Sequence, residues 1–361
     1  MNKFVLTLAS TLALFVSAAF VSCSSGSDET PSTDGRLTLT PNKMSITANG
    51  IDAVKFVVTK GSAIVTREAE IWQIGTNGAA DVKLDKNIFT TKVVGSYQFE
   101  ARYKVGTEKE VSPRVDISAK EKSKEVFYRR MFTQQFTSTG CVACPNMNKT
   151  LNKIQQQQQW SDRMTRATFH MNFGNVMDPM HLPITQQYMI DLGMSGLPYV
   201  MFDLVKSSKI NNGEAQVIEQ MQRVMESYPA ICGVAIESTF DTATKTVNFT
   251  AKVKASSPGE FRILAFLIED KIVGAQSGET NYEHNNVVRE MLSMSLYGDK
   301  LGTMTANQEL TKKFSKQLNG DWKPANMRVL VCALNNVNDD FCGNNSAVCP
   351  LNGSVDYKYN E

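Results

Sequence analysis

Two cysteines set three residues apart constrain the fold of this chain more than any other feature. Cys141 and Cys144 are followed directly by Pro145. Apolar residues before the pair predict a short buried strand, and those after it recur at helical spacing: Met131, Phe132 and Phe136, then Met147, Leu151 and Ile154. The pair is therefore expected at the start of a helix, where free backbone N–H groups and the helix dipole favour a thiolate. A proline fits the first turn of such a helix.

The first residues predict export, and they are not used to predict the fold of the mature protein. Lys3 precedes an uncharged apolar stretch, and Cys23 is followed at once by a polar tract. This order resembles a bacterial lipobox, so we predict a lipoprotein signal peptide over 1–22 and a lipid on Cys23. The alternative is an ordinary signal peptide that is cut after Ala19 or Ser22.

The predicted location of the protein is the cell outer membrane. No other stretch is apolar and long enough to span a bilayer, so the predicted partner is the membrane, reached through the lipid anchor and a flexible linker over 23–35. The acidic tract Ser27-Asp28-Glu29 resembles tags that send some lipoproteins to the cell surface. The formal net charge is +2, and removal of Lys3 leaves about +1. Without a basic stripe, the sequence excludes a nucleic-acid partner.

The region from 36 to 119 predicts an immunoglobulin-like β-sandwich. Short alternating apolar runs are broken by turn residues; one such run is Val54, Phe56 and Val58. The run from Gly95 to Tyr103 alternates aromatic with polar residues and resembles the tyrosine-corner strand of immunoglobulin-like sandwiches. No cysteine lies in this region, so packing alone must hold it together.

The rest of the chain divides into two further predicted domains. Over 125–229, strand patterns alternate with helix patterns, which predicts a sheet covered by helices. One helix is indicated by apolar residues at helical spacing: Val217, Met221 and Val224. Over 230–361 the pattern returns to strands and predicts a C-terminal β-sandwich. The expected fold class is a multidomain α+β protein with an α/β domain between two sandwiches.

Cysteine usage indicates an oxidising compartment. The chain has seven cysteines, and setting Cys23 aside for the lipid leaves six, an even number. We predict that Cys141 pairs with Cys144. The other four are Cys232, Cys332, Cys342 and Cys349.

We predict that these four form the bridges Cys232–Cys332 and Cys342–Cys349. Cys232 and Cys332 each alternate with apolar residues, so both side chains are expected to face one apolar interior. The alternative is that Cys332 pairs with Cys342 or Cys349 and that Cys232 takes the other.

The middle region resembles the thioredoxin fold in two motifs. One is Cys141-Val-Ala-Cys144-Pro145, and the other is Gly196-Leu197-Pro198-Tyr199 before a later strand. The resemblance implies a thioredoxin-like domain in which a cis Pro198 packs beside the cysteine pair.

Over residues 125–361 the chain is also similar to the twenty-eight-kilodalton outer-membrane protein family of Gram-negative anaerobes. Further matching motifs are Phe169-His170, Asp178-Pro179 and the segment from Tyr282 to Arg289. The resemblance implies a lipoprotein with a thioredoxin-like core and a β C-terminal domain, described as a surface adhesin or receptor.

Three positions depart from the thioredoxin pattern. Gly140 stands where thioredoxins carry tryptophan, and Leu197 replaces the usual threonine or valine. The strand before the cysteines carries Gln134 and Gln135 in place of a buried acid, and an amide side chain cannot take up a proton. These departures argue against efficient turnover.

Two functions therefore remain open. One is a surface binding or adhesin-like protein that uses the fold as a scaffold. The other is a thiol–disulfide oxidoreductase acting on envelope proteins, with Cys141 as exposed nucleophile, Cys144 as resolving cysteine and Pro198 beside them. The alternative for the same cysteines is an inert structural disulfide at the start of the helix.

No cofactor and no metal are predicted. A Cys-x-x-Cys pair is half of a zinc site, but no second pair follows at zinc spacing. His170 follows a strand expected to end near the cysteines and either biases a thiolate or is a hydrogen-bonded loop residue. His284 lies in a polar segment, read as a surface site or as a loop held by its own hydrogen bonds.

Overall fold

The computed structural model of the protein describes residues 35–121, 126–211 and 213–360. The predicted signal peptide, the predicted lipidation site Cys23 and the linker up to residue 34 lie outside the described residues. Within the described ranges, no helix is long and apolar enough to cross a membrane.

The N-terminal part is a β unit of two facing sheets. Its strands are β1 (Leu37–Pro41), β2 (Ser45–Thr47), β3 (Val54–Lys60), β4 (Ala63–Ile64), β5 (Glu70–Gln73), β6 (Val82–Lys83), β7 (Ile88–Phe89), β8 (Gly95–Val105), β9 (Glu108–Val111) and β10 (Val115–Lys120). One sheet contains β1, β3, β4 and β7, and the other contains β2, β10, β8, β5, β6 and β9. Phe56 and Phe99, one from each sheet, are fully buried with ring centroids 4.9 Å apart. Their alternation with exposed residues places the apolar side chains of both sheets in one core.

The remaining elements run from residue 131 to residue 355. They are β11 (Met131–Thr137), α1 (Cys144–Gln155), β12 (Met164–His170), α2 (Ile184–Asp191), β13 (Tyr199–Phe202), α3 (Glu214–Ser227), β14 (Cys232–Asp241), β15 (Thr246–Ala255), β16 (Gly259–Glu269), β17 (Ile272–Gln276), β18 (Glu279–His284), β19 (Val287–Met291), β20 (Asp299–Met304), β21 (Glu309–Gln317), β22 (Met327–Val337), β23 (Asp340–Pro350) and β24 (Gly353–Val355). Two single turns of 3-10 helix lie at Lys206–Ser208 and Pro324–Asn326.

The predicted fold class is wrong, because the two regions expected as separate domains share one sheet. Eight strands form it: β13, β11, β12, β19, β16, β22 and β23 in order, with β20 beside β16. The join is the parallel pair β12–β19, where Thr168 lies opposite Val287. The described chain is mostly β-structure and contains no separate thioredoxin-like α/β domain.

The position of β16 explains this join. The residues of β16 from Ile263 to Glu269 are buried on both faces, so this strand needs neighbours on both sides and a layer above and below. The aromatic side chains of Phe132 and Phe169 on β11 and β12 pack on Phe266 of β16, with centroids 5.6 Å apart in each pair. A core continuous across the join therefore replaces two separate cores.

Both faces of the eight-stranded sheet are covered. Helix α2 covers one face through Tyr188 and Met189. On the other face, α1 and α3 pack near β11 and β13, and a second sheet of β21, β15, β14 and β24 packs near β16 and β22. The strands β17 and β18 form a separate two-stranded hairpin. This hairpin, residues 272–284, is called the covering hairpin below.

Candidate functional site at the Cys141–Cys144 disulfide

The predicted disulfide between Cys141 and Cys144 is present at the start of α1. Strand β11 ends at Thr137, a short turn follows, and the helix begins at Cys144 with Pro145 in its first turn. The turn brings Cys141 back beside the first residue of the helix. The local order of strand, cysteine pair and helix is therefore the one that the sequence indicates.

The covering hairpin lies over this disulfide. The side-chain Nε2 of Gln276 donates to the carbonyl oxygens of Ser138 (3.2 Å) and Cys141 (2.9 Å). The backbone N–H of Ser277 donates to the carbonyl oxygen of Thr139 at 2.7 Å. These three hydrogen bonds tie the tip of the hairpin to the turn that carries the cysteines.

Two further contacts fasten the hairpin to α1. Asn148 Nδ2 donates to Tyr282 Oη at 2.6 Å, and Lys149 forms an ion pair with Glu279. The contacts come from two successive residues of the first helical turns, the half-buried Asn148 and the exposed Lys149. The hairpin therefore lies along the start of α1.

Both cysteines are buried beneath the covering hairpin. Cys141 is 3% exposed and Cys144 is 1% exposed, whereas Val142 between them is 70% exposed. The expectation that Cys141 is an exposed nucleophile is wrong. The sequence did not indicate that a hairpin more than 130 residues later would cover the pair.

A small polar cavity lies beside Cys144, between the sheet and the covering hairpin. It has a volume of about 10 Å³, room for about one water molecule, and it is lined by Thr168, His170, Tyr282 and His284 among others. Thr168 and His170 alternate along β12, so their side chains point to the same face of the sheet as the cavity. The Oγ1 atom of Thr168 is buried and has no hydrogen-bond partner among the described residues.

His170 forms a buried pair with Asp178. Its Nδ1 lies 2.8 Å from Asp178 Oδ2, and the carboxylate also accepts from the backbone N–H groups of Thr139 and Met180, each at 2.8 Å. Burial by itself would raise the pKa of Asp178, but these hydrogen bonds outweigh burial and the pKa is lowered. The carboxylate therefore stays ionised and orients the imidazole. Sequence reasoning did not connect Asp178 with the cysteines; the available signals were its place in the matching motif Asp178-Pro179 and its position eight residues after a strand-end histidine.

His284 is buried in β18 and does not lie in a surface loop. It is 4% exposed, and its ring lies 5.3 Å from the ring of His170 and 4.8 Å from that of Tyr282. Its Nε2 lies 3.3 Å from the carbonyl oxygen of Ala275. Burial, followed by the neighbouring His170, lowers the pKa of His284 to about 4. The ring is therefore neutral at pH 7.

Arg166 is a buried cation on the same face of β12. It is 3% exposed and donates to the side-chain oxygens of Asn152 (2.5 Å), Asn148 (2.7 Å) and Gln135 (3.0 Å). Burial lowers its pKa to about 10. Neutral amides thus solvate this guanidinium beneath α1, a role that the strand pattern of the sequence did not indicate.

The other predicted catalytic residue, Pro198, lies beside the end of β11. The Leu197–Pro198 peptide is cis, as the resemblance implied. Pro198 directly precedes β13, whose Tyr199 lies opposite Phe136. It is not among the residues that line the cavity beside Cys144. Gln134, the other position of interest on β11, donates to Tyr188 Oη on the opposite face of the sheet.

The predicted bridges among the last four cysteines are absent, because all four are free and buried: Cys232, Cys332, Cys342 and Cys349. Cys332 packs with Leu330 and Leu334 on the face of the sheet that α2 covers. Cys232 and Cys349 belong instead to the core between the two sheets, and Cys342 to the core beneath α1 and α3. The alternation correctly predicted which residues of each strand share a face with the cysteine. It could not indicate which layer of the structure that face packs against. Burial raises the pKa of Cys342 to about 12, so this thiol stays protonated.

A second and larger cavity, the junction cleft, lies between the N-terminal β unit and the rest of the chain. Its volume is about 290 Å³. Its walls come from the segments 43–52, 227–231, 256–258 and 335–338 and from Asn344. Within the described part of the chain, no three histidine, cysteine, aspartate or glutamate side chains are grouped so as to hold a metal ion.

Comparison with known proteins gives a family match over part of the chain and a solved structure of similar fold. Residues 185–345 match the family described as outer membrane protein Omp28. The solved structure of HBP35 of Porphyromonas gingivalis is similar in fold, with a TM-score of 0.54 and 20% sequence identity over 63% of this chain and 77% of that chain. The three N-terminal domains of the outer capsid protein Hoc of bacteriophage RB49 align over 87% of this chain and 96% of that chain. Their TM-score of 0.17 and identity of 8% carry no argument about the fold. No curated protein matches the chain.

The matched residues 185–345 include Pro198, the covering hairpin and most of the eight-stranded sheet. They exclude Cys141, Cys144 and the N-terminal β unit. The resemblance to this outer-membrane family is thereby confirmed over residues 185–345, and so is the outer membrane as the location. The match does not extend to a thioredoxin-like core. Residues 185–345 of this chain match the model of the Omp28 family of outer membrane proteins.

Proposed function

We propose that this outer-membrane protein is a receptor-like or adhesin-like binding protein in which Cys141 and Cys144 form a structural disulfide. The observation that supports this most is burial, since the two cysteines are 3% and 1% exposed. Thiol–disulfide exchange begins when an outside thiolate reaches one of the two sulfur atoms. A disulfide sealed beneath the covering hairpin offers no such approach. Its proposed role is to hold the turn before α1 in the shape that the hairpin binds.

The junction cleft is a second, independent observation that supports a binding function. A cavity of about 290 Å³ lies near the lower limit of small-ligand sites, and such sites occur preferentially where two structural units meet. The cavity beside Cys144, at about 10 Å³, is far too small for a ligand. Space for a partner thus exists away from the disulfide.

We further propose that a lipid on Cys23 anchors the protein and that the folded part faces outward, toward envelope or extracellular proteins. Metabolic labelling with a palmitate analogue tests the anchor: the wild type should be labelled and Cys23→Ala should not. Protease treatment of intact cells tests the orientation, with a periplasmic protein as control. Label retained in Cys23→Ala, or full protection from protease, would contradict these two parts of the proposal.

A test of the structural role is the accessibility of the disulfide to a reductant. In the native protein, reduction by dithiothreitol should be at least a hundredfold slower than in the urea-unfolded chain, because the hairpin must first open. The loop that the disulfide closes has four residues, so its entropic contribution to stability is about 2 kcal/mol. The Gln276→Ala variant should speed native reduction, since it removes two hydrogen bonds from the hairpin to the turn. Native reduction as fast as in urea would refute a structural role.

A second candidate is the oxidoreductase, and one observation favours it. His170, oriented by Asp178, lines the same cavity as Cys144, so a general base stands near that sulfur. This function requires the covering hairpin to lift. Trapping distinguishes the candidates: the Cys144→Ser variant of an oxidoreductase would accumulate mixed disulfides through Cys141, and Cys141→Ser would serve as control. We expect neither variant to capture envelope proteins.

A further inference from the structure

The junction cleft is a preformed space with polar ties between its walls. Asn338 Nδ2 donates to the carbonyl oxygen of Ile51 at 3.0 Å, and Asn49 Nδ2 donates to that of Ser227 at 3.3 Å. Both bonds cross from the N-terminal β unit to the rest of the chain. On the far wall, Asn344 Oδ1 accepts from the backbone N–H of Ile231 at 2.8 Å. The walls are therefore held apart at a defined distance before any ligand binds.

The cleft carries no uncompensated charge. Its two charged lining residues are Lys43 and Asp52, and they form an ion pair with each other. The second oxygen of Asp52 also accepts from the backbone N–H of Thr47 at 2.7 Å. A phosphate, a carboxylate or an ammonium group would find no free counter-charge here. This excludes nucleotides and ionic peptides as the best-fitting ligands.

Five residues with a hydroxyl group line the cleft: Thr47, Ser227, Tyr228, Ser256 and Ser257. All five are half-buried, so none of them is enclosed in the core. Each hydroxyl is both a donor and an acceptor. A ligand rich in hydroxyl groups can satisfy them in pairs.

The remaining lining mixes asparagine side chains, such as Asn335 and Asn336, with small apolar ones. Pro229, Ile231 and Val337 interrupt the polar residues, and Tyr228 adds an aromatic ring. Such a surface suits a molecule that presents both C–H and O–H groups, because neither a lipid chain nor a fully polar ion would match it. Pyranose sugars combine an apolar ring face with equatorial hydroxyls.

We propose that the junction cleft binds a neutral carbohydrate, with room for one or two sugar residues of a glycan. The inference rests on the proposed binding function and names its ligand class. Serine and tyrosine hydroxyls would bond the sugar hydroxyls, while Tyr228 and the apolar side chains would contact the C–H face. The site lies between a unit outside the family match and the segment 227–231 within that match.

The test is calorimetric titration of the purified protein with neutral trisaccharides: maltotriose, cellotriose, mannotriose and laminaritriose. An acidic counterpart, trigalacturonic acid, and an uncharged polar hexapeptide are titrated in parallel. We expect at least one neutral sugar to bind with a Kd of roughly 0.1–1 mM, which corresponds to about −5.5 to −4 kcal/mol.

Variants locate the binding. Ser257→Trp places a large side chain in the cleft and should weaken binding at least tenfold. Tyr228→Phe keeps the ring and removes one hydroxyl, so a loss of about threefold to tenfold is expected. Thr242→Trp, on the exposed turn between β14 and β15, is the matched control and should bind within twofold of the wild type.

The outcomes separate this inference from the function on which it rests. Binding of neutral sugars that Ser257→Trp leaves unchanged, or no binding of any neutral sugar, overturns the carbohydrate proposal. Binding of the acidic sugar or of the peptide, weakened by Ser257→Trp, overturns it too but leaves the binding function standing. Active thiol exchange would overturn the proposed function instead and is measured separately.

Discussion

Acidification from pH 7 to pH 5 should weaken the covering hairpin, because His284 is buried there as a neutral ring. The side chain is 4% exposed, and the titratable groups that act on it electrostatically are His170 and Asp178. Protonation would place a cation in a cavity with room for about one water molecule. The unfolded chain has no such restriction, so acid favours unfolding.

The size of the effect follows from two pKa values. An unperturbed histidine has a pKa of about 6.5, and in the folded protein the pKa of His284 is about 4. The stabilisation is complete above the unfolded pKa and is lost as the pH falls through 6.5 toward 4. At pH 5, linkage of these values gives a loss of about 2 kcal/mol. The lowered pKa of Asp178 acts in a different window, since its contribution is lost only below about pH 4.

Urea unfolding at pH 7 and at pH 5 measures this loss. In the His284→Gln variant the loss should shrink by about 2 kcal/mol, because glutamine keeps a donor but does not titrate. His181→Gln is the matched control, since it also leaves two of the three histidines. Hydrogen exchange of residues 272–284 should rise at pH 5, after correction for intrinsic rates, in the wild type and in His181→Gln only. Equal losses in wild type and His284→Gln would refute the reasoning.

Three core substitutions test the fold, each by urea unfolding at pH 7 with exposed Thr242→Ala as a control expected within about 0.5 kcal/mol of wild type. Arg129→Met should cost about 4 kcal/mol, because it leaves the fully buried carboxylate of Asp203 without the guanidinium 2.6 Å away. Phe169→Ala should also cost about 4 kcal/mol, since this fully buried ring packs on three other aromatic rings at the join of the sheet. Gly343→Ala should cost about 2 kcal/mol, because the new Cβ would lie 2.8 Å from the Cα of Asp203. Losses under 1 kcal/mol in these variants would contradict the described packing.

Local features of the structure could be predicted from sequence because neighbouring residues determine them. The alternation of Val54, Phe56 and Val58 predicted β3, and all three are buried. The spacing of Val217, Met221 and Val224 predicted α3, and these are its buried residues. The Cys-x-x-Cys-Pro order likewise predicted a disulfide at a helix start.

The candidate site was only half predictable. Cys141, Cys144 and His170 were identified from their places after strands, and they do lie at one end of the sheet. The burial of the pair was missed, because it depends on Gln276 in a hairpin far along the chain. Nothing in the local pattern of β18 tells a strand on the surface from a strand over a disulfide.

The sequence by itself determined most of the strands and helices and the resemblance to the outer-membrane family, since these depend on periodicity and on short motifs. Only the tertiary structure decided which strands share a sheet. Thr168 and Val287 lie opposite each other although more than 100 residues separate them. Periodicity reports which face of a strand is apolar, but the partner of that face is chosen by the packing of the whole chain. For this reason the two regions that were expected as separate domains contribute strands to one sheet. His170 and His284 therefore lie together beside Cys144.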